Sequence, residues 1–130
     1  MVGTMEAGPM KCTILTEDAE GMSFFTDGTI DMAERLFAPP APPMPRSDPE
    51  ACTQIIHVAF PPGWTGPRHP SPRRQIAYCL AGRTRVEASN GSAITMIPGD
   101  ILRMEDTDGA GHVTTSIGED EARFVIVQLE

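Results

Sequence analysis

Lysine is almost missing from this chain. Lys11 is the only one, and ten Lys+Arg stand against 18 Asp+Glu for a formal charge of −8. A nucleic-acid partner needs a cationic footprint, and an anionic membrane surface attracts basic segments, so both are excluded as partners. Cysteine is scarce as well. Cys12, Cys52 and Cys79 are odd in number, far apart and never in a CxxC pair, which rules out a zinc knuckle or a thioredoxin-type motif. This usage predicts a reduced, cytoplasmic setting. No apolar run approaches the ~20 residues of a spanning helix. The start, MVGTMEAGPMK, has neither a basic lead nor an apolar stretch, so no secretory signal is expected. GxSxG, P-loop and GxGxxG patterns are absent, so serine hydrolysis, phosphoryl transfer and nucleotide or flavin binding are unsupported.

What the chain has instead is punctuation. Thirteen prolines and twelve glycines in 130 residues leave no room for long helices. A short helix is expected over Asp31–Phe37, with Asp31 as its cap and Glu34 completing a capping box. Ala38–Pro49 holds six prolines and is expected to cross the surface as an extended strap without regular structure. From residue 51 the texture becomes β. Short segments rich in β-branched residues are predicted as strands at 53–60, 75–80, 84–88, 93–97, 100–104, 112–117 and 122–129, with two earlier ones at 11–16 and 22–26. Asn90-Gly91 is the strongest two-residue hairpin signal. Such a series of short strands predicts one all-β domain, a sandwich or barrel.

In the middle lies a spaced pattern: Gly63, five residues, His69, one residue, Ser71, three residues, Gln75, six residues, Gly82. It resembles the first motif of the cupin superfamily, G-x5-H-x-H-x3,4-E-x6-G, with Ser71 in place of the second His and Gln75 in place of the Glu. Gly99 to Ser116 resembles the second motif, G-x5-P-x-G-x2-H-x3-N. There His112 is kept, Glu105 stands at the proline, Ser116 stands at the Asn, and the loop is about two residues longer. The resemblance implies a single cupin domain over 1–130, an antiparallel jelly-roll barrel with little helix. Its N-terminal strands, short helix and strap would occupy 1–50 and its barrel 51–130.

Strand alternation would put His69, Ser71, Arg73, Gln75, Ala77 and Cys79 on one face. In cupins that face is the barrel interior. His112 and Thr114 would enter from a facing strand. By the parity of similar sequences His57 and Ala59 would also face inward, so that all three histidines converge on one cavity. Ile76, Tyr78 and Leu80 would point outward, toward a partner in a homodimer that the resemblance implies. The same resemblance implies one divalent transition metal (Zn, Fe, Mn or Ni), held by His69, His112, Gln75 and His57. His69, His112 and Gln75 are the candidate catalytic residues. His57, Ser71, Arg73, Trp64 and Thr114 are candidate substrate contacts, with Arg73 suited to an anionic group. Glu105, Asp106 and Asp108 read as a solvated turn with Asp108-Gly109 at its tip rather than as ligands. The methionines Met22, Met32, Met44, Met96 and Met104 read as core gap-fillers.

Two functions fit these residues. One is an enzyme acting on a small organic acid or polyketide-like molecule, by histidine acid–base or metal-assisted lyase, isomerase or cyclase chemistry. The other is a non-catalytic, possibly metal-free, small-molecule binder.

Overall fold

The computed structural model describes residues 8–130, and among them eleven strands form and no helix. The strands are β1 (Met10–Glu17), β2 (Ser23–Ile30), β3 (Ala33–Arg35), β4 (Met44–Arg46), β5 (Cys52–Phe60), β6 (Gln75–Ala81), β7 (Arg83–Ala88), β8 (Ala93–Met96), β9 (Ile101–Met104), β10 (His112–Ile117) and β11 (Ala122–Leu129). Six of them make a sheet in the order β2-β1-β9-β6-β11-β5, and β10-β7-β8 make a second sheet. Pairing is antiparallel except between β1 and β9, which run parallel.

The alternation of side chains explains why these segments are strands. In β7 the residues Thr84, Val86 and Ala88 are buried while Arg83 and Arg85 are exposed. In β9 Leu102 and Met104 are buried between less covered neighbours. A period of two matches the pleat and puts one apolar face of each sheet inward. Leu15, Ala77, Val86, Met96, Leu102 and Phe124 meet in one core drawn from both sheets. No helix of the described residues is long and apolar enough to cross a membrane.

Three local expectations are corrected. Residues 31–37 form no helix: Ala33–Arg35 pairs with Met44–Arg46 as a small ribbon. Seven residues ahead of Pro39-Pro40 are too few to sustain an isolated helix, whereas pairing satisfies the backbone directly. The strap is therefore not wholly irregular, since β4 lies within it; Pro45 sits in a two-stranded ribbon, where a missing donor is tolerated. The turn at Asn90-Gly91 is longer than a two-residue hairpin. Ala88 N–H donates to Ser92 O at 2.9 Å, and Gly91 alone is left-handed, with φ of 91°.

The outward set on β6 is only partly free. Ile76 is 5% exposed, and with Tyr78 it borders a hollow formed with residues 47–50 of the chain itself; Leu80 alone is openly exposed. On the opposite face Cys79 is buried in the core. Burial, and secondarily the Asp100 carboxylate, pushes its thiol above the ordinary value of 9.0. Folding thus favours the protonated thiol, and this contribution to stability falls as pH rises past about 9. Iodoacetamide at neutral pH is expected to label the exposed Cys52 first and Cys79 only on unfolding. Mass spectrometry of peptides from a pH series checks this; equal labelling of the two at pH 7 would contradict it.

Candidate active site

Between the sheets lies a cavity of about 160 Å³. Its wall is mainly apolar, with Val58, Phe60, Met96, Met104 and Phe124 among the lining side chains, and its polar lining groups are His69, Gln75, Thr84, His112 and Thr114. Met96 and Met104 are thus both core residues and cavity wall, while Met22 and Met44 are exposed. Trp64 lines the cavity at 38% exposure and packs on Phe60, with ring centroids 4.8 Å apart.

His69 and His112 come together because their backbones pair as an isolated bridge. His69 N–H donates to His112 O at 3.1 Å, and His112 N–H donates to His69 O at 3.0 Å. Their ring centroids are 5.0 Å apart. His112 is 3% exposed, whereas His69 is open to solvent at the rim. Gly111 makes this approach possible. Its φ is +77°, and a Cβ there would overlap the backbone of His69 and Pro70.

Behind His112 lies Asp106, fully buried. Its Oδ2 accepts from His112 Nδ1 at 2.6 Å and its Oδ1 accepts from Ser71 Oγ at 2.8 Å. Ser71 N–H also donates to the Asp106 carbonyl at 3.0 Å. His69 Nδ1 faces the Pro67 carbonyl at 2.8 Å. A carboxylate and a carbonyl only accept, so each neutral ring carries its proton on Nδ1 and leaves a lone pair on Nε2.

The loop that carries Asp106 is not a solvated turn. Glu17 accepts from Asp108 N–H at 2.9 Å and from Gly109 N–H at 2.7 Å. Ala110 N–H donates to Gly21 O, and Glu105 N–H to Leu15 O. Four contacts with β1 and the turn after it hold the loop and aim Asp106 inward. The sequence reading missed this because loop composition says nothing about the carboxylate on β1 that anchors it. One signal was available: a Ser standing where a second His is expected suggests a donor in search of an acceptor.

The other expected site residues divide. Gln75 and Thr114 line the cavity. Gln75 accepts from Gln128 Nε2 at 3.2 Å and turns its own Nε2 to Met104 Sδ at 3.5 Å. Ser71 is buried behind the site and is not part of the lining. Arg73 is exposed and bonds Thr53 Oγ1 at 3.3 Å, outside the cavity. Its expected parity fails because β6 begins only at Gln75; the prolines at 70 and 72 keep the preceding residues out of the ladder. His57 is exposed, and Val58 and Phe60 take the inward positions on β5. The parity carried over from the resemblance is therefore off by one, and only two of the three histidines converge.

These positions bear on the metal that the resemblance implies. Among the described residues no group of three His, Cys, Asp or Glu could hold an ion. His57 is on the other face, the Gln75 oxygen is engaged by Gln128, and the Asp106 carboxylate is spent on Ser71 and His112. Two imidazoles remain, short of the three protein ligands usual for a catalytic zinc. The donor set does not fit such a centre.

Two sheets enclosing a cavity, with histidines on facing segments, define a small all-β domain of the jelly-roll type. The family described as "Cupin domain" matches residues 56–128, more than half of the chain, and the protein belongs to that family. A Cupin 2 conserved barrel domain protein from Salinispora arenicola is similar in structure, with a TM-score of 0.52, 14% identity and coverage of 78% of this chain and 76% of that one. A cupin-superfamily sugar phosphate isomerase from Silicibacter pomeroyi aligns at a TM-score of 0.49 and 23% identity over 56% of this chain, which spans 47% of that protein. An RmlC-like cupin from Desulfovibrio desulfuricans aligns over 98% of this chain and 94% of its own, at 12% identity and a TM-score of 0.43. A comparison with curated proteins finds no match. At 14% identity the likeness to the Salinispora protein concerns the fold alone.

Proposed function

We propose that this cupin is an acid–base enzyme that moves a proton on a small, uncharged, largely apolar carbonyl compound, in isomerase or lyase chemistry that uses no metal. The observation that carries this is the buried chain Ser71–Asp106–His112 ending beside His69. His112 Nε2 is a base with its lone pair toward the cavity, and Asp106 stabilises the imidazolium that forms when it takes a proton. His69, in its protonated form, donates from Nε2 to the substrate oxygen and polarises the carbonyl. Its exposure at the rim lets it exchange protons with water. Gln75, held by Gln128, presents a fixed amide to the substrate. Among the described residues no Lys or Arg lines the cavity, which disfavours the small organic acid expected from Arg73.

The test is exchange of carbon-bound hydrogen with deuterated water, followed by proton NMR over a panel of small neutral ketones and enones. Protein-dependent exchange next to the carbonyl is expected for at least one compound, unaffected by prior EDTA dialysis. His112→Asn is expected to slow it by roughly 10²–10⁴-fold. Binding of panel members without exchange would replace this reading with that of a non-catalytic binder. Loss of exchange on dialysis, with recovery on adding zinc or manganese, would place a metal in the site.

A further inference from the structure

One polar group of the cavity takes no part in the Ser71–Asp106–His112 chain or in its contact with His69. Thr84 lines the cavity, is 0% exposed, and its Oγ1 has no hydrogen-bond partner among the described residues. Ser116 lies directly opposite it in the β7–β10 register, 2% exposed, and its Oγ is also unpartnered. Buried hydroxyls are nearly always satisfied, so an orphaned pair beside a cavity points to a partner that arrives from outside. The same register places them four residues from the His112–Ala88 pair. At about 3.3 Å per residue this is roughly 13 Å along the strand. An even separation keeps Thr84, Val86 and Ala88 on one face, as it does His112, Thr114 and Ser116. The cavity thus has the two histidines at one end of the β7–β10 pair, the buried hydroxyl of Thr84 four residues further along it, and an apolar wall that includes Val58, Phe60 and Phe124.

We infer that the ligand carries two oxygen functions joined by an apolar body, one facing His69 and His112 and the second bonded to Thr84 Oγ1. Its class is an uncharged hydroxy-ketone, diketone or hydroxyalkyl phenol rather than a singly functionalised hydrocarbon. This rests on the cavity being the binding site, as in the proposed function, but not on proton transfer taking place there. Thr84 acts by selecting the ligand: it offers both a donor and an acceptor, so it accommodates a hydroxyl or a carbonyl. Without that partner the hydroxyl stays unsatisfied in an apolar wall.

The experiment uses isothermal calorimetry with 4-(2-hydroxyethyl)phenol and 4-(3-hydroxypropyl)phenol beside their one-oxygen counterparts, 4-ethylphenol and 4-propylphenol. The phenol hydroxyl donates to the His112 Nε2 lone pair, and the chain hydroxyl reaches toward Thr84. At least one two-oxygen probe is expected to bind wild type about fivefold or more tightly than its counterpart, the worth of one well-made hydrogen bond. In Thr84→Val, which keeps the shape and removes the hydroxyl, the order should invert. In Thr84→Ser it should persist. Thermal melting should find Thr84→Val at least as stable as wild type, since it loses an unsatisfied group. An unchanged ratio in Thr84→Val, or no binding of any probe, overturns the inference. Hydrogen exchange measured on the same wild-type and Thr84→Val proteins separates the two readings. Selectivity for the second oxygen with no exchange anywhere would leave the ligand class standing and remove the catalytic reading, whereas exchange with an unchanged probe ratio in Thr84→Val would keep the catalytic reading and remove the ligand class.

Discussion

Asp106→Asn is expected to lower the hydrogen-exchange rate by about 10²–10⁴-fold, as much as loss of His112 itself. An amide has one accepting oxygen where the carboxylate has two, and Asp106 uses both, on Ser71 and His112. If the amide nitrogen faces His112, two donors meet. The ring then shifts its proton from Nδ1 to Nε2, and the lone pair that served as base is lost. Stability should fall by about 1–3 kcal/mol, the cost of leaving one buried group unpaired. Long-range nitrogen–proton NMR reads the tautomer directly. Nε2 of His112 should give an unprotonated-type resonance in wild type and a protonated-type one in the variant. Ser71→Ala removes one donor and leaves the His112 bond in place, so its effect on exchange should be far smaller. Equal losses in the two variants would mean that Asp106 acts only by holding the loop.

Gly111→Ala is expected to be the most damaging substitution for the fold around the site. The residue is left-handed, and the added methyl would meet the backbone of His69 and Pro70 rather than a movable side-chain tip. Strain for a non-glycine residue in that region and overpacking of a tight contact each cost about 1–3 kcal/mol, and here they fall on the same atom. A loss of about 3 kcal/mol or more is therefore expected in urea unfolding. The backbone bridge between His69 and His112 should open, because it lies one residue from the clash. Gly63→Ala makes a useful contrast: its φ is +77° too, but open space surrounds the added methyl, so only the conformational strain applies. A Gly111→Ala protein with wild-type stability and exchange would show that the bridge tolerates displacement and is not what sets the histidine geometry.

The cupin assignment was legible from five spaced residues. The reason for one of them, Gly82, is visible in the structure: it is left-handed, and a Cβ there would lie 2.6 Å from Ala122 Cα and from Glu121 O. Alternation also placed Gln75, Ala77 and Cys79 on the inner face of β6, where the strand is regular. The same rule failed for Arg73, where prolines stop the ladder, and for His57, where parity was borrowed rather than read. A shift of one residue turns every side chain of a strand to the other face, so such errors are complete when they occur. The Asp31–Phe37 helix failed for a different reason. Its capping pattern is a local preference, and pairing with Met44–Arg46 outweighs it.

By itself the sequence determined the class of the fold and the two histidines that keep their motif positions. These follow from composition, period-two burial and fixed spacing, all of which act over a few residues. Only the tertiary structure decided that Asp106 supports His112, that Ser71 stands behind the site, that His57 lies outside it, and that Thr84 faces the cavity without a partner among the described residues. Each of these depends on segments distant in sequence. Glu17 pins the Asp106 loop from 91 residues away, and Ser71 reaches Asp106 across 35. A side chain's neighbour across a sheet or a loop is set by register and chain path, and no local pattern encodes either.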